Sequence, residues 1–555
     1  MKYILDMVHE NPGEAPFKTD FRSPSVLADL GYNGQVFKHL NTIMTFDALG
    51  LDCFPQGSEA GDWLDKNTKR IEGEIRAAKE AGLKIHYHLD LFVLPKQLVE
   101  SLKDEICDPE TGKISLKREK TLEVHQVLFD EMFQRFPEVD GVIIRVGETY
   151  LYDTPFHTGN GAVPCEASQM SDAEKEQFVI LLNFLRENIC VRHRRDVIFR
   201  TWDCHPTRFH ASKDIYLELT NQVEPHEQLL FSIKHTALDF WRWVDFNPCL
   251  TVGKHEQIVE VQCQREYEGK GAYPSYVMND LINGFVEHGE GQSLSSIQNH
   301  PLIQGLYTWS RGGGWYGPYI PNEFWPRLNT YVISHWFNAP QRSEESIFLQ
   351  FARAEMGLSD EDATKFRQCA LMASEANLKG HYCESFDTQR NLFSLPSNNW
   401  MRDDHLGGLD QLKPVFEYLY KTNGFDQALR EKQESVQIWN KVAAIFAEIK
   451  FRDSDLQSFI TSSIEYGKAL FTLVAAGWEV MALGYINRMG SDVKNDKLIT
   501  ALEDYDKAYQ SYQSVFTYPL ASTLYKDDYW SMPEHPRNPG LADSVREIRH
   551  SLTQV

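Results

Sequence analysis

Three acidic side chains stand in or just after apolar runs of strand length. Glu148 follows Gly141-Val-Ile-Ile-Arg-Val-Gly, Asp239 follows Leu229-Leu-Phe-Ser-Ile-Lys-His-Thr-Ala-Leu, and Glu260 lies inside Ile258-Val-Glu-Val-Gln-Cys-Gln-Arg-Glu266. Alternation along that last run puts Glu260, Gln262, Gln264 and Glu266 on one side of a strand. Four polar side chains on one strand face are costly to bury unless they serve a site or bond to each other. Carboxylates brought together can divide proton transfer, one delivering a proton to a leaving oxygen while another draws one from water. Glu148 is the candidate general acid, and it reads equally as a salt-bridge partner of Arg145.

Cations and aromatic rings recur at the same strand ends. Arg200, Trp202 and Asp203 close one run, and Lys234 and His235 close another. Trp309 ends the last run and is followed by Arg311-Gly-Gly-Gly-Trp315-Tyr316. Arg200 and Lys234 could clamp a carboxylate or sugar hydroxyls, or simply neutralise the acids. Trp309 and Trp315 could stack on a sugar ring or serve as packing. The triple glycine lacks the strand–turn–helix context of a phosphate loop. A metal alternative uses His86, His88, His205 and His235, which resembles amidohydrolase barrels but departs from their ligand positions. No metal or other cofactor is expected in the main reading.

The elements that position these residues are short β-branched and aromatic runs alternating with amphipathic stretches, up to about Pro340. Eight strands are expected, near Tyr3–Val8, Gly34–His39, Leu83–Leu89, Gly141–Val146, Val197–Thr201, Leu229–Ile233, Ile258–Cys263 and Leu306–Trp309. Eight parallel strands in one layer imply a closed (β/α)8 barrel of the TIM type, with its site at the strand C-termini. A helix is expected over Asp65 to Ala81, and long loops after the fourth and eighth strands. Beyond Pro340 the pattern turns helical, with segments Glu344–Met356, Asp360–Asn377, Asp426–Lys450, Ser454–Tyr485 and Asp496–Phe516. The expected organisation is a catalytic barrel over 1–340 and an α-helical domain over 341–555.

The 555 residues carry a formal charge of −23, so the average surface repels nucleic acid and anionic lipid. The nine cysteines form no C-x-x-C spacing and read as reduced. The apolar stretch Ala469 to Tyr485 is shorter than the ~20 residues of a membrane span and reads as a buried helix. The N-terminus meets Asp6 before a signal-length apolar run develops, which points to the cytoplasm, or to the periplasm had a leader been removed. The helical part could form a homodimer.

Taken in order, Gly141-Val-Ile-Ile-Arg-Val-Gly-Glu148, Phe199-Arg-Thr-Trp202, Ile233-Lys-His-Thr-Ala-Leu-Asp239-Phe and Val259-Glu-Val-Gln-Cys-Gln-Arg-Glu-Tyr-Glu-Gly269 resemble the α-glucuronidases of glycoside hydrolase family 67. Trp315-Tyr-Gly and Phe337-Asn-Ala-Pro340 add a weaker match. The resemblance runs from about Gly141 to Pro340, and the helical part resembles that family's C-terminal region. It implies an exo-acting, inverting hydrolase of uronic-acid-containing oligosaccharides. In it Glu148 is the acid, Asp239 and Glu260 activate water, and Arg200 and Lys234 contact substrate; from their places at the strand ends, Arg145, Trp202, Glu266, Trp309 and Trp315 are expected to bind substrate as well. The sequence departs from the family in having no counterpart of its separate N-terminal α/β domain. It also has Arg145 where the family has a lysine, one position out of step, and Tyr150, Tyr152 and His157 in the loop after Glu148.

Overall fold

The computed structural model describes residues 1–9, 17–147, 154–159, 167–312, 320–321, 323–389, 400–402, 405–490, 495–515, 525–532 and 535–553. All eight expected runs are strands: β1 (Tyr3–Val8), β2 (Gly34–Lys38), β3 (Lys84–Asp90), β4 (Gly141–Arg145), β5 (Asp196–Arg200), β6 (Leu229–Lys234), β7 (Glu256–Gln262) and β8 (Ile303–Arg311). Each pairs in parallel with its neighbours in chain order, and β8 closes the barrel on β1 with Tyr3 opposite Gly305. At Gly305 a Cβ would lie 2.0 Å from the Tyr3 carbonyl oxygen, so the closing seam needs a glycine there.

Alternation assigns the two faces. Tyr3, Leu5, Met7, Val36, Ile143, Ile198, Leu230, Ile258 and Tyr307 fill the barrel interior. Ile4, Ile85, Tyr87, Val142, Phe199, Phe231, Val259 and Leu306 face the surrounding helices. Both faces are dry, which is why the strands read as near-continuous apolar runs. The helix before β3 is Glu59–Glu80, six residues longer at its start than expected, because Ser58 caps it by accepting from Gly61 N at 3.1 Å. Its Ile71, Ile75 and Ala78 are buried, as the spacing requires.

Helix Phe324–Asn338 ends the barrel, and the region after it is mainly helical, with Glu344–Ala354, Asp360–His381, Phe425–Phe446, Ser454–Arg488 and Asn495–Val515 at the expected places. Helices Leu409–Thr422 and Leu541–Thr553 were not foreseen; the first carries Pro414 in its interior, which breaks the sequence signal. Among the described residues one helix, Ser454–Arg488, is long and apolar enough to cross a membrane, and 72% of its apolar window is buried inside the protein. Its glycines explain the packing: Gly467 lies against Trp439, Gly477 against Leu541 and Gly484 against Ile548. Trp325 on the last barrel helix donates its indole N–H to Ser463 on this helix at 3.0 Å.

Candidate functional site

The same alternation that fills the interior with apolar side chains makes its last layer polar. Lys38 follows Val36, Arg145 follows Ile143, Arg200 follows Ile198, Ser232 and Lys234 follow Leu230, and Glu260 and Gln262 follow Ile258 on the inward face. His88 and Asp90 join them, since β3 sets them beside Ile143 and Arg145. Charges buried this deeply must be paired, and they are.

Arg145 holds Asp90 through Nε at 2.5 Å and Nη2 at 2.7 Å. This bidentate bond to the neighbouring strand is a consequence of register, which sets Asp90 beside Arg145. Arg200 holds Glu260 in the same way, at 3.0 and 2.6 Å, and Ser232 Oγ donates to Glu260 Oε2 at 3.0 Å. The Glu260 side chain is 1% exposed. Asp239 is placed differently. It lies in the loop after β6 with its side chain 16% exposed, and it accepts from Lys234 Nζ at 2.8 Å and from the Tyr267 hydroxyl at 2.7 Å. Among the described residues the structure therefore brings Asp239, Lys234, Arg200, Glu260 and Trp202 together. Glu148 and Trp315 lie outside the described residues.

Aromatic rings wall this group. Lys234 Nζ sits 3.4 Å from the centroid of Trp202 and 5.4 Å from that of Trp309, and the Arg200 guanidinium lies 5.1 Å from Trp309. These are cation–π contacts that hold the cations over apolar faces. Trp309 stacks on His9 at 4.3 Å and meets Phe240 edge-on at 5.3 Å. Burial, reinforced by Lys38, Arg145 and Arg200, holds His9 well below the usual histidine range; burial and the same three cations hold His88 there too. Three buried polar atoms of this layer, Gln262 Nε2, Trp309 Nε1 and His88 Nε2, have no hydrogen-bond partner among the described residues. Unsatisfied groups converging at a barrel mouth are what a ligand would satisfy.

Sequence reasoning missed Asp90, His9 and Tyr267. Asp90 was visible as the polar end of β3, but nothing in one sequence names its partner. The expected polar face of β7 also changes: alternation holds through Glu260 and Gln262, where the strand ends. Beyond it Arg265 has φ +60°, Glu266 N donates to Gln262 Oε1 at 2.8 Å, and Gln264 Oε1 accepts from Gly312 N at 2.8 Å. Gly312 has φ +88°, and a Cβ there would lie 1.4 Å from the His9 carbonyl oxygen. Asp203 is buried, its carboxyl pushed up to about 7 by burial, and it accepts from Phe209 N and His210 N.

The four histidines of the metal alternative do not form a ligand set. His86 Nε2 meets Asp196, at the N-terminal end of β5, at 3.3 Å. His235 stacks on Phe240, and burial pushes it down to about 3. Among the described residues no group of three His, Cys, Asp or Glu side chains could hold a metal ion.

The loops that carry the site are tied to the helical region. Glu268, next to Tyr267, accepts from the Tyr382 hydroxyl at 2.5 Å, from Arg242 N at 3.0 Å and from Arg265 Nε at 2.7 Å. Arg242, three residues past Asp239, pairs with Glu287 at 2.6 Å and donates to Ser374 O at 3.1 Å. Coulombic attraction to Arg265, with the Tyr382 bond, holds Glu268 below the usual carboxylate range against the cost of its burial.

No protein-family model matches the chain, and no curated protein matches it in sequence. Among solved structures, the chain is similar to a GH138 enzyme targeting pectin rhamnogalacturonan II, with a TM-score of 0.59 and 11% identity over 100% of this chain and 83% of that one. Weaker likenesses are to an O-GlcNAc hydrolase of Thermobaculum terrenum (TM-score 0.39, 10% identity, 99% and 94% covered) and to the maltogenic α-amylase AmyB of Thermotoga neapolitana (TM-score 0.32, 9% identity, 61% and 77% covered). The first of these establishes the shared architecture, a closed eight-stranded parallel barrel followed by a helical region.

Proposed function

We propose that the chain is a glycoside hydrolase acting on uronic-acid-containing oligosaccharides. The observation that carries the reading is Asp239, a partly open carboxylate held in one orientation by Lys234 and Tyr267 at an aromatic-walled barrel mouth. A carboxylate so fixed is poised to take a proton from water. In this reading Glu148 is the general acid, and inversion requires it to stand ~6.5–9.5 Å from Asp239. Glu260 supports the site by orienting Arg200, since both its oxygens are already bonded. The barrel shared with an enzyme that targets pectin rhamnogalacturonan II and the resemblance to family 67 are in keeping with an acidic polysaccharide fragment as substrate.

Turnover of an aryl α-glucuronide panel, with the anomer of the first product read by NMR, tests the reaction; binding without turnover of any glycoside would leave only a sugar-binding protein. Lys234→Met tests the substrate class. If Lys234 meets a sugar carboxylate, kcat/KM for a glucuronide falls by about 10–100-fold more than for the matching glucoside, the weight of one charge-assisted hydrogen bond. Equal losses on the two sugars would point to a neutral substrate.

A further inference from the structure

A cavity of about 620 Å³ opens beside β2, between the strand and helix Glu59–Glu80. In a barrel this space is ordinarily filled by apolar side chains from strand and helix. Here the apolar Val8, Val36 and Phe37 share the lining with Gln35, Lys38, Trp63, Asn67, Arg70 and Glu74. Gln35 is 4% exposed; its amide N–H donates to Arg22 O at 3.1 Å, while its Oε1 has no partner among the described residues. Arg70 and Glu74 are ion-paired within the lining, and Asn67 donates its amide to Trp63 O at 2.8 Å. Trp63 is half-buried and steadied by Phe54 and His157 at 6.4 and 5.5 Å. An indole face, planar amides and an ion pair around a volume of this size suit a sugar ring, and a hydroxyl there could satisfy the buried Gln35 amide oxygen.

The cavity also adjoins the mouth. Lys38 lines it and meets His9 Nδ1 at 3.2 Å, and His9 stacks on Trp309 beneath Arg200 and Lys234. We infer that this cavity is a second sugar subsite, which holds the next residue of an oligosaccharide whose terminal residue occupies the barrel mouth. The inference rests on the glycoside reading and adds where the residue next to the terminal one is held.

Calorimetric titration of the intact protein with D-glucuronate and with a trisaccharide ending in a non-reducing α-D-glucuronate tests it, using Trp63→Ala and Gln35→Leu alongside the wild type. The trisaccharide is expected to bind at least ~10-fold more tightly than glucuronate, and each substitution to remove about 5-fold or more of that gain while leaving glucuronate binding within ~2-fold. Unaltered melting temperatures show that the variants fold, and the two substitutions touch different sides of the cavity. Equal binding of the two sugars, or a gain that survives both substitutions, overturns the subsite and leaves the mouth reading standing. If neither sugar binds, the mouth reading falls and takes the subsite with it.

Discussion

Asp239→Asn is expected to lower kcat by about 10²–10⁴-fold while changing substrate affinity little, the range for loss of one positioned acid–base group. The substitution keeps the side chain's size and its acceptor oxygen for the Tyr267 hydroxyl, so geometry survives and basicity does not. Lys234 loses its 2.8 Å anionic partner but keeps its seat over Trp202. A companion change isolates the role: Tyr267→Phe removes a donor to the carboxylate, which raises its pKa and moves the acid limb of kcat/KM to higher pH. No histidine inflection between about pH 6 and 7 is expected from His9 or His88, which stay neutral there. An Asp239→Asn enzyme that kept a tenth of its turnover would remove Asp239 from the reaction.

Glu260→Ala should act on stability first, costing about 3–5 kcal/mol in urea denaturation, because it leaves the fully buried Arg200 guanidinium without its bidentate partner. Replacing both members, Arg200→Met with Glu260→Met, should recover most of that loss, since two apolar side chains leave no bare charge. The double substitution is expected to stay folded and inactive, because the Arg200 guanidinium beside Trp309 is gone. If instead Glu260→Gln folds with wild-type stability and loses ~10²-fold or more in kcat, Glu260 activates water directly and its bond to Arg200 is secondary.

The barrel was legible because strands buried on both faces leave unbroken apolar runs, and because turn and helix signals separate them. The residues of the mouth were legible for the complementary reason: a charge at the end of such a run is out of place unless something uses it. Their pairing was not legible. Asp90 meets Arg145 because β3 and β4 align them, and Glu260 reaches Arg200 across Ser232 of the strand between. Register of this kind is set by the closed sheet as a whole and leaves no mark on a single sequence. Tyr267 was hidden for another reason: it reaches Asp239 only because the chain turns sharply at Arg265, with Gly269, Lys270 and Gly271 also at positive φ.

The bonds from Tyr382 to Glu268 and from Arg242 to Ser374 bear on how this protein could be dissected. A fragment ending at Pro340 would keep all eight strands and the pairs of Glu268 with Arg265 and of Arg242 with Glu287, yet it would lose the Tyr382 and Ser374 bonds that tie these two side chains to the second half. Such a fragment should aggregate, or should bind sugar without turning it over, because the loops bearing Asp239 and Tyr267 would have lost their outer anchor. The helices behave less as an appended module than as a back wall for the barrel mouth.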